Sequence, residues 1–126
     1  MSTDRTRIDS FLPLRPVEFH ILLSLVAGDR HGYGIIQDIQ SRGETALPNV
    51  GTMYRALARL LDSGLIESAA TPNTARTSRG GAATDDRRID YHVTALGRRV
   101  AKAEAQRLET LARAARVSGL LEKKAT

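Results

Sequence analysis

Residues 50–66 read VGTMYRALARLLDSGLI and carry the clearest structural pattern of the chain. Apolar residues recur in it at spacings of three and four: Val50, Met53, Leu57, Leu60 and Leu61. The other side carries Thr52, Arg55 and Arg59. Because successive helical residues rotate by about 100°, Arg59 lies almost opposite the apolar stripe. The pattern predicts an amphipathic helix with a polar outward face, ended by Gly64.

Two helices are predicted before this one. The first begins at Pro16, since proline suits a first helical turn, and ends at Gly28. Its apolar members are Val17, Ile21, Leu22, Leu25 and Val26. The second runs from His31 to Gly43, with Ile35, Ile36 and Ile39 on one side. The sequence Leu47-Pro48-Asn49 then forms a turn that leads into the third helix.

Two glycines, Gly32 and Gly34, stand near the start of the second helix. Glycine is a poor helix former, so its use here predicts a close approach to the backbone. Either a packed neighbour or a phosphate would fit that space. His31 is interpreted as a residue of the helix start.

A β-hairpin follows the third helix. Leu65 and Ile66 begin a short strand, and residues 71–86 form a polar loop with no apolar period. Ile89, Tyr91 and Val93 then alternate with polar residues, which is typical of a half-buried strand with Tyr91 in the core.

A long last helix is predicted after the hairpin. Thr94 is a suitable N-cap, and more than twenty residues follow without a proline. The apolar members are Val100, Ala103, Leu108, Leu111, Ala112, Ala115 and Leu120, and Arg107 interrupts a heptad pattern.

This order of elements predicts a mainly α fold with a small β-hairpin: a winged helix-turn-helix plus a long C-terminal dimerisation helix. We expect a flexible N-terminal tail over residues 1–12 and a winged-helix DNA-binding domain over 13–94. The dimerisation helix then covers 95–121, and a tail covers 122–126.

Composition excludes several classes of protein. The chain has 126 residues, too few for a barrel enzyme, and no cysteine, so disulfides and thiolate sites are excluded. No apolar stretch is long enough for a signal peptide or a membrane span, so we expect a cytoplasmic protein without a membrane partner. The net charge of +5 fits a polyanionic partner, or merely reflects genomic base composition, since sixteen of the nineteen basic residues are arginine.

Four motifs, in this order, resemble the PadR family of transcriptional regulators. HGYGI at 31–35 resembles its H-G-Y-x-I element, and GTMYRALARL at 51–60 resembles its recognition helix, G-T-[LIV]-Y-x-x-L-x-R-L. SGLI at 63–66 and the segment 88–97, with Tyr91, Thr94 and Gly97, resemble the two wing strands. The resemblance covers about residues 14–100 and implies a regulator that binds double-stranded DNA.

The short C-terminus resembles the small PadR subgroup, in which one long helix replaces a multi-helix dimerisation domain. The resemblance implies a homodimer, in agreement with the poor stability of a lone amphipathic helix. The predicted dimer contacts are Val100, Ala103, Leu108, Leu111, Ala115 and Leu120. A small apolar or aromatic ligand between the long helices is a further hypothesis.

The predicted DNA-binding residues are Tyr33, Asn49, Thr52, Tyr54, Arg55, Arg59, Arg76, Arg79 and Arg88. Arg55 suits guanine and Asn49 suits adenine, whereas Arg59 fits a phosphate contact or a surface ion pair. Tyr33 and Tyr54 fit phosphate contact, packing or both. The arginines of the loop, Arg76 and Arg79, and the weaker candidate Arg88 fit backbone or minor-groove contacts, or a solvated loop.

The sequence favours a dimeric repressor at an inverted-repeat operator, with release by a ligand as a second hypothesis. The alternative is a winged helix that serves as a protein-interaction module. An enzyme is least favoured, because no recognised catalytic arrangement appears, and no cofactor is predicted. His20, His31 and His92 lack a metal-binding spacing, and structural roles are favoured for all three.

Overall fold

The computed structural model describes residues 2–43, 50–70 and 89–122. In chain order its elements are α1 (Ser2–Asp9), α2 (Pro16–Ala27), β1 (Arg30–His31), α3 (Gly32–Ser41), α4 (Val50–Asp62), β2 (Ile66–Ala70), β3 (Ile89–Val93) and α5 (Ala95–Val117). The structure confirms the mainly α fold with a small antiparallel sheet and a long C-terminal helix.

Local capping explains where α2 and α3 begin. Pro16 occupies the first turn of α2, as predicted. His31 is the N-cap of α3, and its Nδ1 accepts the backbone N–H of Gly34 at 2.9 Å. This bond satisfies one of the N–H groups that a helix start leaves without an internal partner, and it confirms His31 as a helix-start residue.

Glycines end α4 and α5 in the same way. Gly64 has φ +81° and Gly119 has φ +83°, a conformation that glycine adopts without steric cost. After each glycine the backbone N–H returns to an earlier carbonyl: Leu65 to Leu60 at 3.0 Å, and Leu120 to Ala115 at 2.8 Å. As a result α5 ends at Val117, and Leu120, which the sequence predicts inside the helix, lies beyond it.

The core lies where α2, α3 and α4 meet the sheet and the first turns of α5. Its fully buried large apolar side chains are Ile21, Leu22, Leu25, Ile35, Ile39, Met53, Leu57, Leu60, Leu65, Ile66 and Val100. Burial of each such side chain contributes about 1.5–3 kcal/mol, so the apolar faces of these helices determine how they dock. Tyr91 is also buried, as predicted.

The sheet contains one strand more than the predicted hairpin. Its order is β1-β3-β2, with both pairs antiparallel. Arg30 lies opposite Tyr91, and His31 lies opposite Asp90. Sequence patterns miss β1 because two residues are too few for any periodicity.

The junction between α4 and α5 is tightly packed at Gly97. Thr94 accepts the Gly97 N–H at 3.0 Å, which confirms the predicted cap, and its hydroxyl lies 2.8 Å from the Gly64 carbonyl oxygen. A Cβ atom at position 97 would overlap the carbonyl oxygen of Leu65. The start of α5 is therefore fixed against the residues that follow α4.

The N-terminus differs from the prediction. A flexible tail is predicted for residues 1–12, but the structure has helix α1 over Ser2–Asp9, packed against α5. The helix is polar, so it produces no apolar period. Ile8, Phe11 and Leu12 nevertheless pack on the core, and this tertiary contact stabilises the segment.

Candidate nucleic-acid interface

Helices α3 and α4 form the two helices of a helix-turn-helix. Met53, Ala56, Leu57 and Leu60 bury one face of α4, while its opposite face is exposed. Residues 44–49 between the two helices, including Asn49, lie outside the described residues. Because its inner face packs on the core, α4 presents its polar face to solvent.

The aromatic ring of Tyr54 packs on the first turn of α3. Its hydroxyl oxygen lies 2.6 Å from the position that a Cβ at Gly32 would occupy, and two ring carbons lie at 3.2 Å. Of the two alternatives for Gly32, the packed neighbour is therefore what the structure contains. Any side chain at position 32 would displace the end of the Tyr54 side chain.

Two predicted reading residues lie together on the first turns of α4. Arg55 is exposed, and its Nη2 donates to the Thr52 hydroxyl at 3.3 Å. This hydrogen bond is long, so the guanidinium can exchange it for a base edge at small cost. Tyr33 on α3 is also exposed, at 52% of its full area.

Arg59 forms an ion pair across the domain. Its Nε donates to Oε2 of Glu18 on α2 at 2.7 Å, and the Glu18 side chain is only 11% exposed. Arg15 lies farther from the same oxygen, at 3.8 Å. Of the two sequence alternatives for Arg59, the structure contains the ion pair.

A polar cluster at Asp38 holds α3 against α2 and β1. The buried Ser24 hydroxyl donates to Asp38 Oδ2 at 2.7 Å, Arg42 Nη1 donates to the same oxygen at 2.6 Å, and Arg30 lies 3.5 Å from Oδ1. The hydrogen bond from Ser24, followed by that from Arg42, lowers the pKa of Asp38. Sequence reasoning missed this cluster, although the four-residue spacing of Asp38 and Arg42 is a usable signal.

The wing strands β2 and β3 pair over their whole described length. Glu67 lies opposite His92, and His92 Nε2 is 2.8 Å from Glu67 Oε1, which gives His92 a structural partner. Arg76, Arg79 and Arg88 lie outside the described residues, so their predicted contacts stay predictions.

The predicted dimer residues of α5 fall into two groups. Val100 is buried in the core of its own chain, and Ala103 is half-buried. Leu108 and Leu111 are 38% and 54% exposed. Ala115 is half-buried, and Leu120 is exposed after the helix end. Sequence reasoning did not single out Val117 and Leu121, which extend this exposed apolar stripe.

Glu104 is a buried carboxylate that sequence reasoning missed. Both of its oxygens accept from Arg107, at 2.8 and 2.7 Å, and a backbone hydrogen bond comes from Leu14. The bonds from Arg107 contribute most to lowering the pKa of Glu104. Arg107 interrupts the heptad pattern because it pairs with this carboxylate.

A groove of about 960 Å³ lies between α1 and the first half of α5. Its lining combines apolar and charged side chains: Arg5, Ile8, Asp9, Leu12, Arg99, Lys102, Ala103, Gln106, Arg107 and Thr110. The groove is formed by one chain, whereas the sequence predicts a ligand between the long helices of two chains.

Over residues 2–43, 50–70 and 89–122, no group of three His, Asp or Glu side chains is arranged to hold a metal ion. No helix in these ranges has the length and apolar character to cross a bilayer.

Comparison with known proteins supplies an independent observation. A family model described as "Transcriptional regulator PadR-like family" matches residues 21–103. No curated protein matches the chain.

Two solved structures resemble the chain over most of its length. One is a PadR family transcription regulator from hypervirulent Clostridium difficile, with a TM-score of 0.62, 26% identity, and coverage of 79% of this chain and 94% of the other. The second is a transcriptional regulator from Clostridium thermocellum, with a TM-score of 0.62, 27% identity, and coverage of 90% and 93%.

Proposed function

The chain belongs to the PadR-like family of transcriptional regulators, and we propose that it acts as a dimeric repressor of transcription at an inverted-repeat operator. The observation that carries the proposal is the arrangement of α4. One face of this helix is buried, and the exposed face holds Thr52 and Arg55 side by side. A helix presented in this way suits insertion into the major groove.

Different residues of the helix-turn-helix are proposed to contact the bases and the phosphates. Arg55, with Thr52 beside it, is the candidate for guanine O6 and N7, and Asn49, outside the described residues, stays the candidate for adenine. The exposed Tyr33 and the rim of Tyr54 suit phosphate oxygens, which set the register of the protein on the duplex. Arg76, Arg79 and Arg88 of the wing would contribute backbone or minor-groove contacts that do not depend on sequence.

Dimerisation through α5 is supported by its exposed apolar stripe. Leu108 and Leu111 lie on the part of the helix that extends beyond the core of its own chain. A second copy would remove these side chains from water and relate two α4 helices by a two-fold axis. Half-sites about one helical turn apart, roughly 10 base pairs, would then match the dimer.

Release by a small apolar or aromatic ligand is a second part of the proposal. Two surfaces suit such a ligand: the apolar stripe of α5 and the groove beside α1. A ligand in either place would act by changing the spacing of the two α4 helices. Calorimetry with phenolic acids and cationic drugs tests this part. No binding and no release from DNA across the panel would contradict it.

The central experiment selects a binding site from a random-sequence duplex pool, together with the DNA upstream of the protein's own gene. We expect an inverted repeat to be enriched. Arg55→Ala should weaken binding to that site by roughly 1–3 kcal/mol and relax the preference at one position. Arg113→Ala, an exposed arginine on α5, is the matched control.

Failure to enrich any sequence would contradict the proposal. A second experiment is a pull-down with genomic DNA and cell extract at physiological salt. Recovery of a protein partner and of no genomic locus would favour the alternative function, a protein-interaction module.

A further inference from the structure

We propose that Glu18 and Arg59 are positioning residues, and that their ion pair fixes the rotation of α4 so that Arg55 faces the base edges. The inference rests on the proposed function. It assigns Arg59 a role within the protein, in place of the phosphate contact that the sequence also allows.

Glu18 is nearly enclosed, whereas the Arg59 side chain is 42% exposed. The Glu18 side chain is 11% exposed, and the Arg59 Nε lies 2.7 Å from Oε2. A carboxylate in this environment requires a charged hydrogen-bond donor, because leaving it without one is costly. Arg15 is the second cation within reach, but at 3.8 Å and with a side chain that is 69% exposed it is a weaker partner. Moving Arg59 to a phosphate would therefore leave Glu18 poorly compensated.

The position of Arg59 on α4 explains why the pair controls reading. Thr52, Arg55 and Arg59 are three and four residues apart, so they lie along one side of the helix. Arg55 is one turn from Arg59, or about 5.4 Å along the axis. A rotation of α4 that moved Arg55 away from the bases would also stretch the bond to Glu18.

The buried face of α4 alone does not fix this rotation. The contacts of Met53, Leu57 and Leu60 hold the helix at the core, but the hydrophobic effect itself has no preferred direction. A charge-assisted hydrogen bond depends on distance and angle. The Glu18–Arg59 pair thus adds a directional constraint at the outer edge of the helix.

The segment of α2 that carries Glu18 is itself held in place. Leu14, four residues before Glu18, is buried and forms a backbone hydrogen bond with Glu104 on α5. The start of α2 is therefore held by α5, and α4 is positioned against this fixed segment.

The test compares variants of the full chain on two duplexes of equal length, one selected from the random pool and one scrambled. Affinities are measured over a range of salt concentrations. We expect Glu18→Gln and Arg59→Gln each to weaken binding to the selected duplex by about tenfold. Affinity for the scrambled duplex and the salt dependence should stay unchanged. Glu109→Gln, an exposed carboxylate paired with Arg113 on α5, is the control and should bind both duplexes as the unmodified protein does.

Two further variants separate positioning from stability. Glu18→Arg combined with Arg59→Glu reverses the pair and should restore part of the lost preference for the selected duplex. Arg59→Lys keeps the charge and should retain more preference than Arg59→Gln. If circular dichroism shows that Glu18→Gln does not fold, Arg59→Lys and Arg59→Gln still test the inference.

The inference is overturned if Glu18→Gln binds the selected duplex as well as the unmodified protein, or more tightly. It is equally overturned if Arg59→Gln reduces, by about one, the magnitude of the slope of log binding constant against log salt concentration. That change is the signature of a lost phosphate contact. If the unmodified protein itself does not distinguish the two duplexes, the proposed function fails, and this inference fails with it.

Discussion

Helices α4 and α5 have the same kind of amphipathic sequence but bury it differently. The apolar stripe of α4 is buried by its own chain from Met53 to Leu60; Leu61 is half-buried, and Val50 at the first position is exposed. The stripe of α5 is buried only at Val100 and Ala101, and Leu108 and Leu111 farther along are exposed. With 23 residues, α5 is about 35 Å long, and it extends past the core that covers its first turns.

An apolar stripe therefore shows which side of a helix is to be covered, but it does not show which element or partner covers it. The short α4 finds its cover within the chain. The second half of α5 has no such cover in the part of the chain that the structure describes, which is why we propose a second copy there.

Truncation in the covered stripe should have the largest effect. Leu57 on α4 is almost completely buried, so Leu57→Ala removes apolar contacts and leaves a cavity. We expect a loss of about 2–5 kcal/mol in the free energy of unfolding, measured by urea denaturation. The loss should be the same at low and high protein concentration. A loss that appears only at low concentration would place Leu57 at a contact between chains.

A substitution at Gly97, where the start of α5 packs against the residues that follow α4, should have the next largest effect on stability. Gly97→Ala places a methyl group against the Leu65 carbonyl oxygen, which is backbone and cannot turn aside. We expect a loss of roughly 1–3 kcal/mol in the free energy of unfolding. Gly28→Ala is the control, because open space surrounds a Cβ there. Equal stability of the two variants would contradict the close packing at this junction.

Truncation in the uncovered stripe should act on association instead. Leu111→Ala should weaken the dimer by about 1–2 kcal/mol, because it removes apolar area that a second copy would cover. Sedimentation equilibrium measures this as a roughly 5- to 30-fold rise in the dimer dissociation constant. If the constant is unchanged, Leu111 is not at the interface, and the proposed dimer must use another surface.

Acid should weaken the covered half of α5 through Glu104. Because its pKa in the folded protein is lowered from 4.5, the stabilisation by Glu104 is present above that value and is lost as the pH falls through the folded pKa. The difference in unfolding free energy between the unmodified protein and Glu104→Gln should shrink in acid. Its slope should stay below about 1.4 kcal/mol per pH unit, the limit for one proton.

Glu109→Gln, in the exposed half of α5, is the control for this titration. Its ion pair with Arg113 should contribute only about 0.3–0.5 kcal/mol. A difference for Glu104→Gln that does not vary with pH would contradict the assigned role of the carboxylate.

Much of the fold and part of the site could be predicted from the sequence. The starts of α2 and α5, the stop at Gly64 and the strand Ile89–Val93 all follow from neighbouring residues. The family motifs identified α4 as the recognition helix. By contrast, α1 and β1 could not be predicted, because one is a polar helix held by distant packing and the other has only two residues.

The site shows the same division. That Arg55 is on the outer face of α4 follows from helical spacing. The partner of Arg59 does not, because Glu18 lies 41 residues away in the chain. Likewise, the sequence places Asp38 near Arg42 on one helix, but Ser24 joins them from α2.

Most of the helices, their apolar faces and the family follow from the amino-acid sequence alone, because periodicity, caps and motifs depend on residues close together in the chain. What each face meets depends on how the elements pack: the core for α4, the core and then solvent for α5, and Glu18 for Arg59. The physical reason is that burial and ion pairing depend on distances in space. Those distances are set only when α2, α4 and α5 pack on one another.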